Sequence, residues 1–178
     1  AKFLNPQKDA TMKAAKLAGF KHVELLQEPV AAATAYGLCS KSKDGYWLVF
    51  DFGGGTFDAA LVKSEEGILT VKDTAGDNYL GGKNLDYAVV DKIIIPSLSQ
   101  KYSIEFVLND TNKQQLLRDA VKHFAEEAKN ELSFKESFNI ISNLGDLQLE
   151  DENGEEPEID ITVTQDELEN VLAPIFQK

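Results

Sequence analysis

Apolar residues recur in this chain at three-and-four spacing in some stretches and as short unbroken runs in others, which predicts helices and strands in mixed order. Asn5-Pro6 ahead of an alanine-rich stretch predicts a helix over Gln7 to Ala18, with Asn5 as its cap and Gly19 as its stop. His22 to Gln27 reads as a short strand, and Glu28-Pro29 leads into a second helix of small residues, Val30 to Tyr36, ended by Gly37. Tyr46 to Phe50 is continuously apolar, as a strand buried on both faces would be. Phe57 to Val62 and Ile68 to Thr74 predict two more strands, so the three form a meander.

The second half is more helical. Leu85 to Leu98 has a helical period that Pro96 should limit in its last turn. Between Lys113 and Leu132 the series Leu117, Val121, Phe124, Ala128 and Leu132 puts one apolar stripe toward a core. Phe138 to Ile141, Leu147 to Leu149 and Ile159 to Val163 are strand candidates, the last two joined by a turn at Asn153-Gly154. Thr164 and Glu167 form a capping box for a final helix. The pattern predicts an α/β or α+β class with mixed sheets flanked by helices.

Composition narrows the possibilities. With 178 residues, 43% apolar, the chain can bury a real core. A single cysteine, Cys39, forms no internal bridge and favours a reducing compartment. No apolar run is long enough to span a bilayer. No signal peptide is visible, though a chain opening at Ala1 leaves an upstream segment open. The net charge of -12 argues against nucleic acid and anionic lipid as partners. Asp146 to Asn170 holds many carboxylates and no Lys or Arg, which reads as a solvated turn and strand face. Asp151 to Glu156 lacks the ligand alternation of a calcium loop.

The chemistry concentrates between Asp51 and Asp58. An apolar strand delivers Asp51, then come Gly53, Gly54, Gly55 and Thr56, and a second strand opens with Asp58. Consecutive glycines let backbone N–H groups face an anion as a nest, and Thr56 adds a hydroxyl donor. Carboxylates beside phosphates repel unless a divalent cation lies between, so Asp51 and Asp58 imply Mg2+ and its waters. The plainer reading is a glycine-rich hairpin with acidic corners.

Asp51 to Asp58 resembles the second phosphate loop of the actin-like ATPase superfamily. Glu28-Pro29 with Ala31-Ala32-Ala33 and Ala35-Tyr36-Gly37-Leu38 resembles the seventy-kilodalton heat-shock chaperones. The likeness continues through Tyr79-Leu80-Gly81-Gly82, Leu85-Asp86, Glu126, Ala128-Lys129 and Leu132-Ser133, nearly the whole chain. It implies an actin-like (ribonuclease H-like) ATPase fold with a smaller α+β subdomain. Residues 1–40 would end a first lobe and 41–178 form a second, with the smaller subdomain inserted around 82–163.

The resemblance also implies roles. Gly53, Gly54, Gly55 and Thr56 would contact the β- and γ-phosphates of ATP or ADP. Asp51 and Asp58 would hold magnesium-bound water, and Glu28 would serve as general base or water-positioning group. Gly81 and Gly82, at a helix start, could again face phosphate. Glu126, Lys129, Asn130 and Ser133 share one helical face and would be the adenosine set; by spacing alone that face could equally be solvated. The parent activity would be a cytoplasmic, stress-responsive chaperone coupling ATP hydrolysis to unfolded polypeptide held by a separate domain, with a nucleotide exchange factor and a J-domain co-chaperone as partners. This chain alone is expected to turn ATP over negligibly. Lys83-Asn84 stands where the family has two acids, Lys8 where it often has arginine, and Asn130 where many members carry a larger residue. A non-hydrolysing nucleotide-sensing scaffold and a small-molecule kinase of the same superfamily are the rival classes.

Overall fold

The first helix begins slightly ahead of its sequence signal. In the computed structural model, which describes residues 3–36, 44–144 and 150–177, α1 spans Asn5–Leu17 with Leu4, not Asn5, at the cap position. Gln7 reaches back to accept the Leu4 amide at 2.7 Å, and no side chain caps the first helix amides as Asn5 was expected to. Gly19 ends the helix at φ 95°, with the Gly19 and Phe20 amides returning to Lys16 and Ala15 carbonyls.

Helix α2 spans Glu28–Ala35. The segment before it is not the strand that His22 to Gln27 predicts: it has no regular secondary structure and enters no sheet among the described residues. Gly37, Cys39 and the predicted strand Leu147 to Leu149 lie outside the described residues.

Strands β1 (Gly45–Phe52), β2 (Phe57–Glu65) and β3 (Ile68–Asp77) form the expected meander, paired antiparallel in the order β1-β2-β3, and α2 packs against all three. The β2–β3 turn is a two-residue one, with Glu66 and Gly67 both at positive φ. Burial of β1 departs from expectation. It is an edge strand in the described sheet, and Leu48 and Phe50 are 61% and 65% exposed. An unbroken apolar run reports a strand's composition, not how many neighbours cover it.

The chain divides into units Ala1–Gly82 and Lys83–Lys178. A helical path runs from α3 (Gly82–Val89) through a wide turn at Val90–Ile94 into α4 (Ile95–Lys101). Pro96 does not stop it. The Ile95 amide bonds the Val90 carbonyl, five residues back, and this π-type turn accommodates the proline without ending the helix. After the short α5 (Glu105–Leu108), α6 runs over Thr111–Glu131, capped by Asp110 accepting from the Asn112 and Lys113 amides. Its stripe of Leu117, Val121, Ala125 and Ala128 is fully buried. Strands β4 (Ser137–Asn143) and β5 (Glu158–Thr164) pair antiparallel, and α7 (Gln165–Phe176) opens with the predicted box, Thr164 and Glu167 bonding each other's backbone.

The acidic segment is not uniformly solvated. Glu152, Glu155 and Glu156 are exposed, but Asp151 is 6% exposed and accepts from the amides of Asn153 (2.8 Å), Glu155 (3.0 Å) and Ser103 (3.1 Å). A carboxylate so bonded ties the loop to the chain after α4. The Glu155 amide first, then those of Asn153 and Ser103, hold its carboxyl below the usual range against the opposing effect of burial.

Because folding lowers this pKa, its stabilisation is complete above the unfolded value of about 3.9 and is lost as pH falls through the lower folded value. Asp151→Ala should therefore lower the melting temperature at pH 7, and the difference from wild type should shrink below about pH 4. Equal melting at pH 7 would show that the loop is not anchored there.

Candidate functional site

The β1–β2 hairpin places Asp51 and Asp58 directly opposite one another on one face, just below the loop Gly53 to Thr56. Like charges so paired are unfavourable. The Gly53 amide closes the turn onto the Thr56 carbonyl at 2.9 Å. Gly54, Gly55 and Thr56 have no backbone hydrogen bond from their amides among the described residues. A Cβ on Gly54 or Gly55 would meet nothing within 4 Å, so this edge of the loop is open.

The loop departs from one expectation. None of Gly53, Gly54 and Gly55 adopts a left-handed φ, so the alternating-handed nest is not formed. Glycine is required one step away instead. A Cβ on Gly81 would lie 2.5 Å from the Gly55 nitrogen and 2.7 Å from the Gly54 carbonyl carbon, backbone against backbone. The Gly82 amide, expected to face phosphate, donates to the Gly53 carbonyl at 3.0 Å. In this structure Gly81 and Gly82 therefore brace the loop. Gly76, absent from the sequence reading, does the same for Asp58, since a Cβ there would sit 2.4 Å from the Phe57 carbonyl oxygen and 3.1 Å from Asp58 Oδ1. The available signal was an isolated glycine in a strand pattern, which marks close backbone approach.

Glu28 is the first residue of α2, exposed, on the helix that packs against the same sheet. The other predicted residues belong to the C-terminal unit. Along the last turns of α6, Lys129 is half-buried with its ammonium 2.6 Å from Asp86 Oδ1, and Glu126 is 3.5 Å from Lys122. Asn130 and Ser133 are exposed, the Ser133 hydroxyl donating to the Lys129 carbonyl at 3.0 Å. Asp86 and Lys122 had no assigned role in the sequence reading. A buried acid on a helix is visible in sequence only as one polar letter inside an apolar stripe.

The family model described as Hsp70 protein matches residues 1–178. The chain belongs to the Hsp70 family. Its fold is accordingly the actin-like ATPase fold, with helices and small sheets as described. It is similar to the Chaperone protein DnaK of Thermosipho africanus, 39% identical over 135 residues, covering 76% of this chain and 22% of the relative. It is similar also to that of Mycoplasmopsis pulmonis, 38% identical over 133 residues, covering 75% and 21%. This Hsp70 chain thus spans about one fifth of the curated relatives it matches. No helix among the described residues is long and apolar enough to cross a membrane.

The donor set of the Hsp70 hairpin suits a phosphate and a hard cation. The Gly54, Gly55 and Thr56 amides have no backbone partner among the described residues, and the cross-strand pair Asp51 and Asp58 offers only oxygen ligands.

Gly81→Ala should force the two backbones apart and destabilise the N-terminal unit by about 1–3 kcal/mol. Gly54→Ala, with open space before it, should change stability by no more than about 0.5 kcal/mol. Urea unfolding of both variants checks this, and equal effects would contradict the bracing contact.

Proposed function

We propose that this chain is an ATP-binding part of a cytoplasmic chaperone in which magnesium-dependent ATP hydrolysis is coupled to binding and release of unfolded polypeptide. A J-domain co-chaperone and a nucleotide exchange factor are the implied partners. The observation that carries the reading is the hairpin tip, where the Gly54, Gly55 and Thr56 amides have no backbone partner among the described residues, next to the cross-strand pair Asp51 and Asp58.

The amides of Gly54, Gly55 and Thr56 bind the β- and γ-phosphate oxygens, and the Thr56 hydroxyl adds a fourth donor. Magnesium, when bound, neutralises charge on the phosphates. Asp51 and Asp58 would hold it through water. Glu28 orients the attacking water and takes up its proton. Phosphoryl transfer through a loose transition state asks mainly for this placement and charge compensation. Glu126, Lys129, Asn130 and Ser133 receive the adenosine, Lys129 laying its methylene stem along the base.

Thr56→Ala should weaken Mg·ADP binding about tenfold, the worth of one hydrogen bond to a charged oxygen, with little change in melting temperature. Asp58→Asn should remove most of the dependence of ADP affinity on magnesium. Calorimetric titration with and without EDTA reads both, and wild-type behaviour in both variants would refute the assignment.

A further inference from the structure

Asp86 is 2% exposed and uses both carboxylate oxygens: Oδ1 meets the Lys129 ammonium at 2.6 Å, and Oδ2 meets that of Lys122 at 3.2 Å. A carboxylate so far from water needs this compensation. The two lysines lie seven residues apart, two turns along one face of α6, with Glu126 between them and bonded to Lys122. The hydrogen bond that Lys122 donates to Asp86 is the main cause holding the Lys122 pKa above the ordinary lysine value.

A lysine side chain has four rotatable bonds and points in no fixed direction unless its ammonium is tied. Asp86 supplies that tie from a different helix. We propose that Asp86 is a positioning residue that fixes the stem of Lys129 in the conformation that receives the adenosine moiety of the nucleotide, with Lys122 balancing its second oxygen. This rests on the reading above that the α6 face meets adenosine. Asp86 touches no ligand itself; it removes in advance the rotamer freedom that Lys129 would otherwise lose on binding.

Other polar ties join α6 to α3 and to the wide turn that follows it. Arg118 bonds Asp91 through two nitrogens at 2.8 and 2.9 Å, and the Tyr87 hydroxyl donates to Asp119 at 2.5 Å. The isosteric Asp86→Asn variant should therefore fold.

The test uses the 178-residue chain with magnesium and two probes, ADP and pyrophosphate, the second carrying no adenosine. Asp86→Asn should raise the Kd for ADP at least about fivefold and leave that for pyrophosphate within about twofold. Lys129→Met should give a similar loss, and the double variant should bind ADP no more weakly than Lys129→Met alone. A merely structural role would lower the melting temperature of Asp86→Asn and weaken its ADP binding beyond that of Lys129→Met, and that result overturns the proposal, as does unchanged ADP binding or full additivity. If the wild type binds pyrophosphate but gains nothing from adenosine, the reading of the α6 face fails and takes this inference with it. If it binds neither, the phosphate reading fails as well. Should Asp86→Asn not fold, the wild type carries the test by NMR: the Lys129 Hε protons should be inequivalent and should shift with ADP but not with pyrophosphate. Averaged protons, or no shift with ADP, overturn it.

Discussion

At Gly81 one backbone presses on another with no room for a single carbon atom between them. Contact at that range joins Gly81 to the tip of the β1–β2 hairpin within the N-terminal unit, and the Gly82 amide bonded to the Gly53 carbonyl locks it. A four-residue glycine loop would otherwise sample many conformations at large entropic cost on ordering. The contact fixes the loop at the Gly54–Gly55 peptide, while the positions where Cβ atoms of Gly54 and Gly55 would stand are open. Gly76 repeats the device one strand over, where its missing side chain makes room for Asp58. On the function proposed above, donors held in this way need no rearrangement when phosphate arrives.

The two units distribute stability differently. The C-terminal unit holds most of the fully buried side chains, among them Val90, Ile94, Val107, Leu117 and Val121, around α6. The N-terminal unit buries Ala33, Ala60 and Val62 deeply and leaves Trp47, Leu48, Phe50 and Phe52 on the surface of β1. Its geometry at the loop rests less on a large core than on close backbone contacts. In the C-terminal unit polar ties do the corresponding work: Asp110 caps α6, Asp151 gathers three amides, and Asp86 holds two lysines.

Regular, local signals were legible in the sequence. The α6 stripe, the Thr164 box, the Gly19 stop and the three-strand meander all depend on neighbours within a few residues, and the structure shows each of them. The ordered motifs were also enough to point to the family that the comparisons show. Features set by distant partners were not legible. Exposure of β1 depends on what lies at its edge, and the segment before α2 needed a strand partner that the described residues do not supply. Asp151 looked like one acid among many because its donors include Ser103, 48 residues away. Continuation of the helix through Pro96 depends on a wide turn that no residue-type signal announces. Roles for Gly76 and Asp86 come from what stands opposite them in space, on another strand or another helix.

The central claim is that the hairpin's open amides receive phosphate, and amide chemical shifts read it atom by atom. In a ¹H–¹⁵N spectrum of the chain titrated with Mg·ADP, the Gly54, Gly55 and Thr56 resonances should move most within the N-terminal unit. Those of Gly53 and Gly82, already hydrogen-bonded within the loop, should move less. If ADP binds while the Gly54, Gly55 and Thr56 signals stay in place, the account is contradicted.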